Sequence, residues 1–171
     1  MPAKTKKSPR GKRASTAARK PGGAKGPDKS KETFLQAVSL AQNGFMFDAV
    51  QRFCDIVARH KKSDLADDAL FNAGLCFLQM RLHHDAIAYF TKVIQGYPKA
   101  TIAGVGGAQE FGRTAAKAHL GRLRAYLALG DRESARKDLE ALKAFGDSYV
   151  VDAGGRRRAF HELGAEAFRG A

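Results

Sequence analysis

The feature that most limits what this chain can fold into is a grid of small and large apolar residues that recurs three times. It is clearest between Asp67 and Ala100, where Leu70, Ala73-Gly74, Phe77, Ala86, Phe90, Val93 and Pro98 follow helical spacing. Each position has a mechanical reason. The small pair Ala73-Gly74 lets a second helix lie close against the first, and Ala86 is the reciprocal small residue on that second helix. Phe77 and Phe90 fill the space between them. Pro98 stops the second helix, because it lacks an N–H and clashes with the preceding turn. Upstream the grid falls on Ala37, Leu40, Gly44, Ala49, Phe53 and Ile56, with Gly44 in the turn between helices. Downstream it falls on Tyr126, Gly130, Ala135, Leu139 and Leu142. From Glu32 onward no sustained alternation marks a strand.

Written as Leu-x2-Ala-Gly-x2-Phe, then Ala-x3-Phe, then Pro, the middle window resembles the tetratricopeptide repeat, a helix–turn–helix unit of about 34 residues. Ala49, Ala86 and Ala135 lie 37 and 49 residues apart, so on that period the intervals are one unit plus three residues and one unit plus fifteen. The resemblance covers about residues 32–145. It implies an all-α solenoid of about three units, over 32–63, 64–100 and 109–146. Residues 147–171 are then expected to form a linker and a C-terminal capping helix, which hides the exposed apolar edge of the last unit. The middle unit, from Asp68-Ala69-Leu70 to Tyr97-Pro98, also resembles the repeats of bacterial envelope-assembly proteins. Those are exported, and here the basic start has no apolar segment after it, so a different, cytoplasmic role is expected.

Three departures from the repeat carry expectations of their own. Leu123 replaces the small residue early in the third unit, so that pair should pack more widely. Lys61 stands where the first unit's proline falls, so a different helix end is expected there. The fifteen extra residues around Ala103-Gly104-Val105-Gly106-Gly107 form either a loop or a longer start to the next helix. Past Gly146 the chain turns through Asp147–Gly155 and enters an amphipathic helix. Ala159, Phe160, Leu163, Ala167 and Phe168 line one face of it, and Arg156-Arg157-Arg158 open it from the polar side.

In the family, the first helix of each unit lines a concave face. Carried over residue by residue, the groove positions are Phe34, Val38 and Gln42 in the first unit. They are Phe71, Asn72, Leu75, Leu78 and Gln79 in the second, and Leu120, Arg124 and Leu127 in the third. Members that clamp an acidic peptide end use Lys, Asn and Arg here; this groove offers only Asn72 and Arg124. A largely apolar groove suits a helical or extended apolar segment of a partner protein, a second copy, or the chain's own cap. The same residues read equally well as intramolecular core.

The charge is lopsided. The whole chain of 171 residues is +13, from 30 Lys and Arg against 17 Asp and Glu. Residues 1–31 hold eleven of the bases and one acid, Asp28, leaving nineteen against sixteen, or +3, for the rest. Residues 1–30 have no aromatic residue and no Leu, Ile or Val, so they cannot bury enough apolar area to offset ordering and are expected to be disordered. Lys6-Lys7-Ser8-Pro9-Arg10-Gly11-Lys12-Arg13 resembles the Ser-Pro-basic segments of linker-histone tails. Lys4, Lys6, Lys7, Arg10, Lys12, Arg13, Arg19 and Lys20 form a cation set suited to phosphate backbone through counterion release. Nucleic acid, anionic membrane and acidic protein all meet that description, and a solubilising extension meets it too. Lys117, Arg122, Arg124 and Arg156–Arg158 are the basic candidates outside the tail.

No constellation names a reaction. His60, His83, His84, His119 and His161 lack neighbours at metal spacing, and Cys54 and Cys76 sit in apolar helical patterns as core thiols. Gly104-Val105-Gly106-Gly107-Ala108-Gln109 lacks both the third glycine and the preceding strand of a dinucleotide loop. Asp67-Asp68 is read as a pair of acids favoured at a helix start, with Ser63 or Asp64 as its cap. No stretch approaches the ~18–20 apolar residues of a membrane span. The sequence thus points to a non-catalytic protein–protein module without cofactor, an adaptor or assembly subunit. A nucleic-acid-associated protein that binds through its tail is the other reading.

Overall fold

A computed structural model describes residues 29–105 and 109–171. The eight tail cations from Lys4 to Lys20 lie outside those residues, as do Gly106, Gly107 and Ala108. Seven helices follow among the described residues: α1 Ser30–Gln42, α2 Met46–Arg59, α3 Ala66–Gln79, α4 His83–Gly96, α5 Thr114–Ala128, α6 Arg132–Leu142 and α7 Phe160–Gly170. The first six pack in chain order, each on the next, so the architecture is an all-α solenoid. Helix α1 starts at Ser30, so the last two residues expected in the tail are helical.

The three helix pairs share one turn. Gly44, Arg81 and Gly130 all take left-handed backbone, at φ +85°, +60° and +77°. In each turn that residue's N–H reaches back three residues and the next N–H reaches back five: Phe45 to Leu40, Leu82 to Phe77 and Asp131 to Tyr126, each at 2.9 Å. This is the double hydrogen bond that ends a helix on a left-handed residue, and glycine adopts it at no steric cost. Arg81 adopts it with a Cβ in place. The helix ends are equally congruent. Helices α2 and α4 stop at His60 and Tyr97 with φ near −126° and −134° and ψ near 46° and 49°. Lys61 in place of the proline therefore does not change where α2 ends; the stop precedes that position.

Phe90 organises the middle of the stack. Its ring is fully buried and lies between two glycines of different helices. A Cβ added at Gly74 of α3 would come within 2.7 Å of the ring, and one at Gly121 of α5 within 2.6 Å. Phe71 meets the same ring at 5.6 Å between centroids. In the first pair Phe34 stands edge-on to Phe53 at 5.5 Å. A buried polar knot ties α4, α5 and α6 together. Arg122 donates to both oxygens of Asp138, at 2.9 and 2.7 Å, and to the Thr91 hydroxyl at 2.9 Å. His119 Nδ1 lies 2.7 Å from the same carboxylate. Burial alone would raise the pKa of Asp138, but the hydrogen bonds from Arg122 and His119 outweigh it and hold the carboxyl below its usual value.

The sequence reading missed the strands. Glu110–Phe111 (β1), Tyr149–Val151 (β2) and Arg157–Ala159 (β3) form a small antiparallel sheet in the order β1-β2-β3. Arg157 and Arg158 are therefore strand residues paired with Val151 and Val150, not the opening of the last helix. A hairpin explains it: Asp152 accepts from the N–H groups of Gly154 and Arg156, at 2.9 and 3.0 Å, and folds the β-branched run back. Helix α7 then packs on α5 and α6. The small residue missing at Leu123 is met from outside the pair, where Gly164 of α7 faces Leu142, Leu139 and Leu123.

Two substitutions test this packing. Gly121→Ala is expected to destabilise the protein by roughly 1–3 kcal/mol, because its methyl must enter the Phe90 ring. Arg81→Gly is expected to stabilise it, by up to about 1 kcal/mol, by relieving left-handed backbone. Urea denaturation measures both; equal or same-signed shifts would contradict the packing described.

Candidate functional site

The expected groove is divided. Phe34, Phe71 and Leu120 are buried, Val38, Asn72, Leu75, Leu78 and Leu127 are half-buried, and Gln42, Gln79 and Arg124 are exposed. Val38, Gln42, Asn72 and Leu75 come together with Phe34 and Phe71 in a trough of about 300 Å³ between α1 and α3. It continues past the same four residues into a second hollow of about 240 Å³, which adds Ala41, Phe53, Cys76 and Gln79. Leu120 and Leu127 do not join it. They pack with Phe160, Leu142 and Ile102 in the core of the third pair. Leu78 packs into the middle core around Phe90.

The divider is the chain's own α4–α5 connection, where the fifteen extra residues fall. Thr101 bridges Arg113 at its base, and the Ile102 N–H donates to the Gly112 carbonyl at 3.0 Å. From there Ile102 covers the third core, while Val105 packs against the first. Ile102, Gly104, Val105 and Glu110 thus wall the trough.

What holds this strap is buried charge. Asp67 and Asp68 stand in the first turn of α3, as expected of acids at a helix start, and both are buried, at 3% and 4% exposure. Helix α3 is not capped by Ser63 or Asp64. It begins after Leu65 with no side-chain cap, and the Ser63 hydroxyl accepts from the Leu65 N–H at 3.3 Å. Asp68 accepts the strap's Ala103 N–H at 2.8 Å through one oxygen. Its other oxygen lies 3.4 Å from the Lys117 ammonium of α5. Lys117 also reaches Glu110 at 2.7 Å and stands 4.3 Å from the centre of the Phe71 ring. Asp67, beside it, has its pKa raised by burial and by the neighbouring Asp68. Lys117 is therefore not an available phosphate contact. Arg122 is committed to Asp138, Arg156 to Asp152 and Arg158 to Glu166. Two acids and a lysine far apart in sequence gave no local signal; only the folded chain brings them together.

Residues 68–100 match the family model of the tetratricopeptide repeat. The chain carries a tetratricopeptide repeat. No curated protein matches it. The matched segment is the pair α3–α4, and the turn geometry shared by Gly44, Arg81 and Gly130 extends the same construction to the pairs on either side. The tetratricopeptide repeat is a protein–protein interaction module, and the trough lies on its α3. No described helix is long and apolar enough to cross a membrane.

Loss of Lys117 should show how firmly the strap is held. Lys117→Met is expected to cost roughly 3–5 kcal/mol, because it leaves a buried carboxylate without its counter-charge. Glu110→Gln, at a side chain 30% exposed, is expected to cost about 1 kcal/mol or less. Chemical denaturation of both variants would reject this assignment if the two costs were alike.

Proposed function

We propose that this protein is a non-catalytic adaptor or assembly subunit that takes an extended apolar segment of a partner protein in the trough between α1 and α3. The observation that carries the proposal is the trough's construction. Val38 and Leu75 offer half-buried apolar surface over Phe34 and Phe71, and the amides of Gln42, Asn72 and Gln79 stand along the same surface. The Asn72 amide N–H donates to the Asp68 carbonyl at 2.8 Å, which leaves the Asn72 carbonyl free to accept a partner's backbone N–H. Apolar side chains for affinity and amides for a peptide backbone are what an extended segment needs. The strap wall limits the length such a segment occupies and keeps Leu120 and Leu127 out of the contact. Free thiols at Cys54 and Cys76 agree with a reducing, cytoplasmic setting for this role.

Peptides selected from a random library against the full chain test the proposal, with binding read by fluorescence anisotropy. Val38→Ser combined with Leu75→Ser is expected to weaken the selected peptides by about tenfold or more while the protein stays folded. Undiminished binding by a folded double variant would rule the trough out as the partner site.

A further inference from the structure

The trough is polarised: its charged groups all stand at one end. Asp68, Glu110 and Lys117 line the hollow beside the strap. The second hollow adds Ala41, Phe53, Cys76 and Gln79, and among the described residues it meets no charged side chain. The Cys76 thiol stays neutral there, because burial pushes its pKa up to about 11. At the strap end two carboxylates stand against one ammonium, so by formal charge that end is left negative.

Two of the three groups are closed to a visitor. The buried Lys117 ammonium already lies 2.7 Å from Glu110, 3.4 Å from Asp68 and 4.3 Å from the centre of the Phe71 ring. Asp68 turns one oxygen to Lys117 and accepts the Ala103 N–H with the other. Glu110 is different. Its side chain is 30% exposed, and Lys117 meets only its Oε2. Among the described residues no other cation pairs with this carboxylate, so Oε1 is left to accept. The side-chain carbonyl of Asn72, in the same hollow, is a second acceptor.

An incoming carboxylate would therefore meet a like charge and no free cation. An incoming guanidinium would meet an ionised acceptor beside a neutral one, which suits its fork of N–H donors. Between apolar walls that attraction is screened less than in open water. We infer that the partner segment, bound in the trough as proposed above, carries an arginine or lysine at the end of its apolar run, seated at the strap end on Glu110. Glu110 then sets the charge of the partner, while Val38 and Leu75 take its apolar side chains. The inference rests on the trough being the partner site, and the experiment separates the two.

Blocked, labelled peptides with a short run of random apolar residues are made in three sets, with Arg, Gln or Glu at both ends. Their binding to the full chain is read by fluorescence anisotropy at about 0.15 M salt. The arginine set is expected to bind about tenfold more tightly than the glutamine set, and the glutamate set more weakly than either. The basic residues 1–28 would by themselves favour the glutamate set, so they cannot produce this order. In Glu110→Gln, shown folded by a thermal melt, the arginine and glutamine sets should bind alike. Peptide charge is varied on the parent protein as well, so the order of the sets decides the matter even if Glu110→Gln fails to fold. Equal binding of the three sets, still lost in Val38→Ser with Leu75→Ser, would overturn the inference and keep the trough as the partner site. An arginine preference that survives in folded Glu110→Gln would overturn it too. Binding that ignores Val38→Ser with Leu75→Ser would overturn both. A synthetic peptide of residues 1–28 that binds more tightly than the arginine set, and is lost in the same double variant, would make the chain's own tail the occupant and overturn the inference.

Discussion

The ring of Phe90 is the contact on which the rest of the stack depends. It belongs to α4, yet it fits only because α3 and α5 each offer a glycine where a methyl group would collide with it. One side chain therefore sets the separation of three helices, two in its own unit and one in the next. Protein interiors are packed densely enough that such a fit leaves little freedom. The polar knot of Arg122, Asp138, His119 and Thr91 repeats the device with charge, tying α4 to the following pair. Stacking between units is thus specified in the same residues that close each unit.

With the spacing fixed, the α4–α5 connection has to go somewhere, and it is drawn across the face formed by the first helices of the units. Asp68 and Lys117 decide its course. Both are buried, and a buried charge is tolerable only when it is paired. The strap supplies part of the pairing, through the Ala103 N–H and the Glu110 carboxylate. The apolar face is thereby split: the α5 portion becomes core under Ile102, and the α1–α3 portion remains a trough. A repeat surface that would otherwise run the length of the solenoid is shortened to two helices.

Much of the fold was legible in the sequence because repeats restate their own rules. Gly44 and Gly130 marked two turns whose third member, Arg81, carries no compositional sign of the same left-handed backbone. Ala49, Ala86 and Ala135 are all fully buried, as close helix contact requires. The sheet was not legible, because its strands are two or three residues long and no alternation develops over such a length. Tyr149-Val150-Val151 before Asp152 and Gly154-Gly155 was the only local signal, a β-branched run ahead of a turn.

For the candidate site the division is sharper. The positions on α1 and α3 that line the trough, Phe34, Val38 and Gln42 and then Phe71, Asn72 and Leu75, are ones that the resemblance to the tetratricopeptide repeat implies. Periodicity says which way a side chain points within its helix and nothing about what arrives from elsewhere. Asp68, Ala103, Glu110 and Lys117 are separated by up to 49 residues, and each is locally unremarkable: an acid near a helix start, a residue in a glycine-rich stretch, an acid in a loop, a lysine in a helix. The sequence by itself determined the helices, their pairing and their buried faces, because those depend on neighbours three and four residues away. Which part of the apolar face stays open was decided only by the tertiary structure, because that depends on where a long connection finds partners for two buried charges.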